Sequence, residues 1–188
     1  LRKRIGYIKR VLKYAHARGY IKNNPAELFR LPKLPRAEII SITCEELERI
    51  CKAKLFIPRL ERVRDIFLFQ CYTGMAYADL KLFRKEIINV RDGKRFIFGL
   101  RLKTDAVYIL PFTLEAVAIA EKYNYNLPVP SNSEYNRLLK MGGERARGET
   151  KRTTHVARRT VGQVRFDRGV SIETVSSMMG HKSTSITE

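Results

Sequence analysis

The sequence predicts a mainly α-helical protein with one small antiparallel β-sheet. Apolar side chains recur at helical spacing through most of the 188 residues. Between Arg95 and Lys103 the pattern changes to strict alternation, which is typical of a β-strand. Hydrophobic residues make up 44% and charged residues 30% of the chain, a balance that allows a buried core.

The first forty residues predict the end of a helical domain followed by a linker. A helix is expected over residues 1–20, ending at Gly19, and a short second helix over Ala26–Phe29. The segment LPKLPRAE has two prolines and no periodicity, so residues 32–40 are predicted to be a linker. The chain opens on Leu1 inside an apparent helix, and we expect it to have been cut from something longer.

Three helices are predicted next. Thr43 and Glu46 form a capping box for a helix that reaches about residue 53. Pro58 starts another, which ends at Gly74, and a short helix follows over residues 76–83. Three aromatic side chains of the middle helix are expected in the core: Phe67, Phe69 and Tyr72.

The sheet is predicted to have three strands. Ile87–Val90 is the first, Asp92-Gly93 a hairpin turn, and Thr104-Asp105 a second turn before the return strand Val107–Leu110. Alternation in the long middle strand divides its side chains between two faces. One face carries Phe96, Phe98, Leu100 and Leu102, and the other carries Arg95, Ile97, Gly99, Arg101 and Lys103.

The rest of the chain is predicted to be helical. The expected helices run from a Thr113 cap to about Tyr123, from a Ser131 or Ser133 cap to about Met141, from Thr154 to Arg168, from a Ser171 cap to Gly180, and onward from Ser183 or Thr184. The Gly-rich basic segment 141–152 is predicted to be a loop that is either solvated or in contact with DNA backbone.

The charge of the chain is its most unusual property. Lys and Arg number 37 against 19 acidic residues, a formal net charge of +18. Such a surplus favours a polyanionic partner, and nucleic acid is the first candidate. A ribosomal or membrane-surface role, or a basic protein kept soluble by its charge, are alternatives. No apolar run has membrane-spanning length and no signal peptide is visible, so a cytoplasmic protein is expected.

The cysteines predict neither disulfides nor a metal site. Cys44, Cys51 and Cys71 are odd in number and form no CxxC pair. They are interpreted as reduced core residues of a cytosolic protein. None of the three histidines lies near them in the sequence, which argues against zinc.

The segment THVARRTVGQVRFDRGVSIETVSSMMGHKSTSITE holds the candidate chemistry. His155 and Arg158 are three residues apart on one helix face, and His181 follows Gly180 at a helix end. An arginine and two histidines that converge would form a cationic, proton-handling pocket suited to a phosphodiester. The alternatives are a surface arginine, a satisfied core histidine and a histidine that the helix dipole favours.

This segment resembles the catalytic box of tyrosine recombinases, the phage integrase family. HxxR followed by MGHxSxSIT carries the resemblance. CYTGMAYADLKLF resembles the family's helix-turn-helix with its first arginine, and KTDAVYILPF resembles the hairpin with its active-site lysine. LPVPSNSEYNRLLK and the linker resemble Bacteroides-type integrases. The resemblance implies an integrase-like (DNA breaking-rejoining) catalytic domain over residues 41–188, and the C-terminal end of a SAM-like core-binding domain over residues 1–31.

The resemblance also implies an activity and roles for residues. The family integrates or excises mobile elements by cleaving and rejoining duplex DNA through a 3′-phosphotyrosyl intermediate, as a tetramer on DNA, with no metal or nucleotide cofactor. By position, Arg158 would grip the scissile phosphate, His155 would assist proton transfer beside it, Lys103 would protonate the leaving 5′ oxygen, and His181 would be the last phosphate ligand. The nucleophilic tyrosine is expected beyond Glu188, so this fragment is expected to be inactive.

The sequence departs from the family pattern at Ala76, where the first catalytic arginine is expected. Either the protein is a non-catalytic DNA binder on the recombinase fold, or another arginine supplies the charge. Arg101 is the favoured substitute, because it lies two residues before Lys103 on the same strand face. Arg84 is a weaker candidate. The alternative for Arg101 is a strand-edge residue that serves solubility, and for Lys103 an ordinary turn lysine.

The first helix offers a candidate DNA-contacting surface. Its basic residues would form one wall of a clamp around duplex DNA and make binding salt-dependent; they are Lys3, Arg4, Lys9, Arg10 and Lys13. An unrelated RNA- or ribosome-associated protein is a third interpretation, but no aromatic RNA-binding platform is evident. Preference for duplex DNA over single strands or RNA separates these classes.

Overall fold

The computed structural model describes residues 2–30, 32, 41–102, 104–145, 153–167 and 169–178. The chain divides into two compact units, Leu1–Glu38 and Ile39–Glu188. None of the helices within the described ranges is both long and apolar enough to cross a membrane. The assignment of residues 1–31 to a core-binding domain and of 32–40 to a linker stays a prediction.

The first unit contains one long helix, α1, Arg2–Ala17. Gly19, with φ at 72°, reverses the chain after it. The predicted second helix at 26–29 is wrong, because Asn24 forms a turn there instead. Its Oδ1 accepts from the amide of Ala26 at 3.0 Å, and its carbonyl accepts from that of Glu27 at 3.1 Å.

The second unit is built around the buried helix α3, Pro58–Thr73, ten of whose residues are buried. The other helices are α2 (Cys44–Lys52), α4 (Tyr77–Leu80), α5 (Leu114–Lys122), α6 (Asn132–Arg145), α7 (Thr154–Asp167) and α8 (Ile172–Met178). α2, α5, α6 and α7 all pack against α3. The predicted core positions are confirmed, since Phe67 and Phe69 are buried and Tyr72 packs against the core half-buried.

Sequence-encoded caps set several helix ends. The predicted capping box at the start of α2 is present, with both Thr43 and Glu46 hydrogen-bonded. Thr113 caps α5, and the hydroxyl of Ser131 accepts from the Glu134 amide at 3.3 Å. Ser171 accepts from the amide of the third residue beyond it at the start of α8.

Two helices differ in length from the prediction. α4 stops at Leu80 because the amides of Leu82 and Phe83 bond three residues back, to Asp79 and Leu80, in tight turns. α6 continues to Arg145, past the predicted loop start at residue 141. The helix continues through Gly142, although glycine lowers helix propensity by about 1 kcal/mol relative to alanine.

The sheet has the predicted three antiparallel strands in the order β1-β2-β3. They are β1, Ile88–Arg91, β2, Lys94–Leu100, and β3, Val107–Pro111. A 3₁₀ turn at Lys85–Ile87 precedes them. Asp92 and Gly93 both have positive φ, 50° and 70°, as a tight hairpin turn requires.

The predicted alternation in β2 is confirmed from Ile97 onward, and the face that carries Ile97 and Arg101 packs against the protein, whereas Arg95 on the same face is exposed. Ile97 is buried, as are Tyr108 and Leu110 of β3. On the opposite face Phe98 and Leu100 are 46% and 60% exposed. The sheet therefore turns Arg101, which follows directly on β2, towards the interior.

The prediction that the cysteines lie in the core is correct for only one of the three residues. Cys71 is buried on α3, but Cys44 and Cys51 are exposed free thiols on α2. α2 is a surface helix that packs on the core through Ile50, its one buried residue, and the partly buried Leu47. Both side chains stay exposed, although that of Cys51 reaches the half-buried Tyr72 of α3.

Candidate anion site formed by two guanidinium groups

A tight turn between α3 and α4 is the structural centre of the site. Gly74 caps α3 in the left-handed region, with φ at 77°, and its amide bonds the carbonyl of Gln70 at 2.8 Å. Ala76 is the N-cap of α4, and its carbonyl accepts from the amides of Asp79 and Leu80, each at 3.0 Å. Residues 74–76 are called the turn segment below.

Arg158 reaches the turn segment from α7. This helix packs along α3 and buries Val156, Ala157 and Val161. The half-buried Arg158 donates from Nη1 to the carbonyl oxygen of Gly74 at 2.7 Å. The carbonyl at the end of α3 therefore fixes where this guanidinium lies.

Arg101 enters from the sheet and is only 7% exposed. Its Nη1 donates to Oδ2 of Asp79 at 2.8 Å, and Asp79 is itself 2% exposed. The other oxygen of this carboxylate accepts from the amide of Leu102 at 3.3 Å. Asp79 therefore ties both the side chain of Arg101 and the turn after β2 to α4.

An aromatic ring covers the Arg101 guanidinium. The guanidinium carbon lies 4.9 Å from the centroid of Tyr108, in cation–π geometry. Tyr108 pairs across the strands with Gly99. A Cβ atom at Gly99 would lie 2.6 Å from the tyrosine oxygen, so the missing side chain allows the ring to lie over the strand.

The two guanidinium groups repel each other. Burial, and then the positive charge of Arg101, lower the pKa of Arg158, while Asp79 acts in the opposite direction. Burial likewise lowers the pKa of Arg101, opposed by Asp79 and Tyr108. The charge of Asp79 opposes this repulsion between two partly desolvated cations, and a bound anion would relieve it further.

The structure brings together two of the predicted site residues. Arg101 and Arg158 interact, whereas His155, one helical turn earlier on α7, has an exposed side chain. Lys103 and His181 lie outside the described residues. No group of His, Cys, Asp and Glu that could hold a metal ion occurs in the part of the chain that is described.

The weaker candidate, Arg84, is exposed and used locally. Its guanidinium donates to the carbonyls of Phe83 and Lys81, at 2.6 Å and 3.3 Å. These bonds fix it beside the end of α4.

The basic residues of α1 are mostly exposed. Lys3, Arg4, Arg10 and Lys13 are exposed, whereas the half-buried Lys9 donates to the carbonyl of Phe29 at 2.5 Å. Four of the five predicted DNA-contacting side chains are therefore accessible in this unit.

Sequence reasoning missed Asp79 and Tyr108. Asp79 lies within the motif CYTGMAYADLKLF, one helical turn after Ala76, and could have been noticed as the carboxylate nearest the missing arginine. The predicted turn at Thr104-Asp105 could not have found Tyr108, because a two-residue turn there would set it opposite Arg101, whereas the observed register sets it opposite Gly99.

Comparison with solved structures defines the fold. The chain superposes on a lambda integrase dimer bound to a COC′ core site with a TM-score of 0.73, at 16% identity, over 96% of this chain and 68% of that one. It superposes on the Tn1549 transposon integrase in complex with circular intermediate DNA with a TM-score of 0.72, at 15% identity, over 95% and 70%. The chain has the fold of an integrase catalytic domain, as its sequence pattern predicted.

A curated protein is similar to this chain in sequence. The tyrosine recombinase XerA of Pyrococcus furiosus is 27% identical over 186 residues, which cover 88% of this chain and 62% of the relative. The chain thus spans less than two thirds of that relative's length. No family model matches the chain. Together, the relatives and the structural neighbours support a tyrosine recombinase/integrase catalytic domain.

Proposed function

We propose that the protein to which this chain belongs is a site-specific recombinase that cleaves and rejoins duplex DNA through a 3′-phosphotyrosyl intermediate, integrating or excising a mobile element. The observation that supports this most directly is a pair of guanidinium groups on an integrase fold, the buried Arg101 and the half-buried Arg158. Two arginines can grip the non-bridging oxygens of one phosphodiester through their planar forks.

The partner in this proposal is duplex DNA. The net charge of +18 suits a polyanion, and the lambda and Tn1549 integrases were solved bound to DNA. We further propose that the protein assembles as a tetramer on its site, and that His155, Lys103 and His181 take the proton-transfer and phosphate-binding roles that the family resemblance implies.

Arg101 is proposed to replace the arginine that is missing at Ala76. Three features support this: its near-complete burial, its charge coupling to Arg158, and its bond to Asp79 on the helix that Ala76 begins. On this proposal the positive charge is supplied from the end of β2 instead of the start of α4. The ion pair between Arg101 and Asp79 connects these two elements.

A reciprocal substitution tests this proposal. In the full-length protein, covalent protein–DNA adducts would be measured on a nicked attachment-site duplex. Arg101→Ala is expected to reduce adduct formation at least about 100-fold, the order of loss when one charge-stabilising donor is removed. Ala76→Arg in the Arg101→Ala background is expected to restore most of it.

Two controls separate charge from folding. Arg84→Ala is expected to leave adduct formation unchanged. Arg101→Lys keeps a cation beside Asp79 but lacks the fork, and is expected to fold while still losing most activity. Adduct formation that survives Arg101→Ala would contradict the assignment of Arg101.

A second candidate is a non-catalytic DNA-binding protein on the same fold, which Ala76 favours. It predicts tight, salt-dependent duplex binding with no covalent adduct from the full-length protein. It also predicts that Arg101→Ala changes duplex affinity no more than the loss of any single phosphate contact.

A further inference from the structure

The turn segment holds both guanidinium groups, one from each of its ends. Gly74 offers its carbonyl to Arg158, at 2.7 Å. Ala76 begins the short helix whose carboxylate, Asp79, holds Arg101 at 2.8 Å. A distortion that moves Gly74 relative to the start of α4 therefore changes the separation of the two cations.

A fully buried amide fixes the middle of the turn segment. Gln70 of α3 is 0% exposed, and its Nε2 donates to the carbonyl oxygen of Met75 at 3.0 Å. The amide of Met75 bonds the hydroxyl of Thr73 at 3.4 Å. The amide of Gly74 also bonds the main-chain carbonyl of Gln70. Both Gly74 and Met75 are therefore hydrogen-bonded to α3.

A second helix holds Gln70 in place. The hydroxyl of Tyr135, on α6, donates to Oε1 of Gln70 at 3.0 Å, and Tyr135 is also 0% exposed. The amide therefore has a partner at each end, which fixes which end faces Met75. A polar pair with no exposure is costly to bury, and a side chain that only filled this volume would be apolar.

We propose that Gln70, oriented by Tyr135, is a positioning residue for the Arg101–Arg158 pair. It acts through the Met75 carbonyl and touches no anion itself. This inference rests on the proposed function, because it takes the guanidinium pair to be the phosphate site. The bridge runs from α6 through α3 to the turn segment, so three elements of the core set the geometry in which an anion is held.

The test uses the 188-residue chain and inorganic phosphate. Binding is followed by NMR on the Nε–H resonance of Arg158, assigned with Arg158→Lys, so that phosphate on other surface cations is not counted. Gln70→Met keeps the size of the side chain and removes both polar ends. It is expected to weaken phosphate binding about tenfold, equivalent to about 1.4 kcal/mol.

Two further variants separate positioning from stability. Tyr135→Phe leaves the bond from Gln70 to Met75 and is expected to weaken binding by less than Gln70→Met does. Gln70→Met combined with Tyr135→Phe removes the hydroxyl that Gln70→Met alone leaves without a partner. This double variant is expected to melt higher than Gln70→Met, with no recovery of phosphate affinity.

Tyr123→Phe is the matched control. It removes a phenolic hydroxyl that bonds Asp65 at 2.9 Å, next to α5 and outside the bridge. It is expected to lower the melting temperature and leave phosphate affinity unchanged.

The outcomes distinguish the two proposals. If Gln70→Met binds phosphate within about twofold of the parent, a difference of about 0.4 kcal/mol, the positioning role is wrong. The proposed function then stands if Arg101→Lys weakens binding. If phosphate leaves the Arg158 resonance of the parent chain unchanged, the phosphate site itself is wrong, and the positioning role is overturned with it.

Discussion

At the residue scale, a network of ionic contacts outside the site surrounds one buried carboxylate. Asp65 is 4% exposed and accepts from Arg64, from Lys122 at 2.7 Å and from Tyr123 at 2.9 Å. Burial raises the pKa of Asp65, but these donors outweigh it and leave the pKa below its usual value. The network ties α3 to α5.

We expect the contribution of Asp65 to depend on pH. A carboxyl with a lowered pKa stabilises the fold above its unfolded pKa of about 4, and this contribution is lost as the pH falls through the folded pKa. Asp65→Asn is expected to reduce the free energy of unfolding by about 2 kcal/mol at neutral pH. The difference in the free energy of unfolding between Asp65→Asn and the parent should become smaller at pH values below about 4.

Urea unfolding of both proteins at neutral and acid pH checks this. Glu48→Gln is the matched control, because its ion pair with Lys52 is exposed on both sides. If the difference in the free energy of unfolding between Asp65→Asn and the parent stays constant with pH, the ionised form of Asp65 is not what stabilises the fold.

At the element scale, the hairpin of β2 and β3 gives its inward face to the site and its apolar face to solvent. Gly99 and Tyr108 make this possible, since the ring occupies the space that a side chain at position 99 would need. The stacked ring then covers Arg101. Packing across one strand pair therefore sets the orientation of the guanidinium.

Gly99→Ala is expected to destabilise the protein by about 1–3 kcal/mol, because the new methyl group meets the Tyr108 ring. Tyr108→Leu in the same chain should recover part of this loss, and thermal unfolding of the double-mutant cycle measures the coupling. Gly142→Ala is the control: a Cβ there meets nothing within 4 Å, and the change should stabilise α6 by up to about 1 kcal/mol. Additive effects of Gly99→Ala and Tyr108→Leu would contradict the steric explanation.

At the scale of the whole molecule, the excess of positive charge is uneven along the chain. Residues 1–40 carry 11 basic and 2 acidic side chains. In α1 most of the basic residues are exposed. The proposed binding of these side chains to duplex DNA would release counterions from the DNA and weaken as salt concentration rises.

Substituting Lys3, Arg4, Arg10 and Lys13 with Gln should lower duplex affinity and flatten its salt dependence. The slope of log affinity against log salt should fall by about 0.9 for each residue that contacts a phosphate. Fluorescence anisotropy over a salt series measures it. Exchanging Lys for Arg and Arg for Lys at the same positions keeps the charge and should keep the slope. An unchanged slope in the Gln variant would show that α1 is not part of the DNA-binding surface.

Much of the fold could be predicted because it depends on local chemistry. The Thr43 capping box, the stop at Gly74 and the turn at Asp92-Gly93 all require residues only a few positions apart. Prediction failed where local patterns compete. The side chain of Asn24 forms a turn in place of a helix, and Cys44 and Cys51 stay exposed on a surface helix.

The candidate site was predicted in part. Alternation in β2 set Arg101 on one face, and the motif spacing pointed to Arg158, but the sequence could not show that they meet. Asp79 and Tyr108, which hold Arg101, act across 22 residues and across a strand pair. Contacts of this range depend on how the elements pack, and no short pattern encodes them.

The sequence by itself determined the helices, the hairpin, the charge and the resemblance to integrases, because caps, turns and periodicity are properties of neighbouring residues. Only the tertiary structure decided which face of the hairpin is buried, and with it that Arg101 lies beside Arg158. The physical reason is that the burial of a charged side chain depends on its partners. Arg101 is held inside by a carboxylate on α4 and a ring on β3, and only packing around α3 brings those elements together.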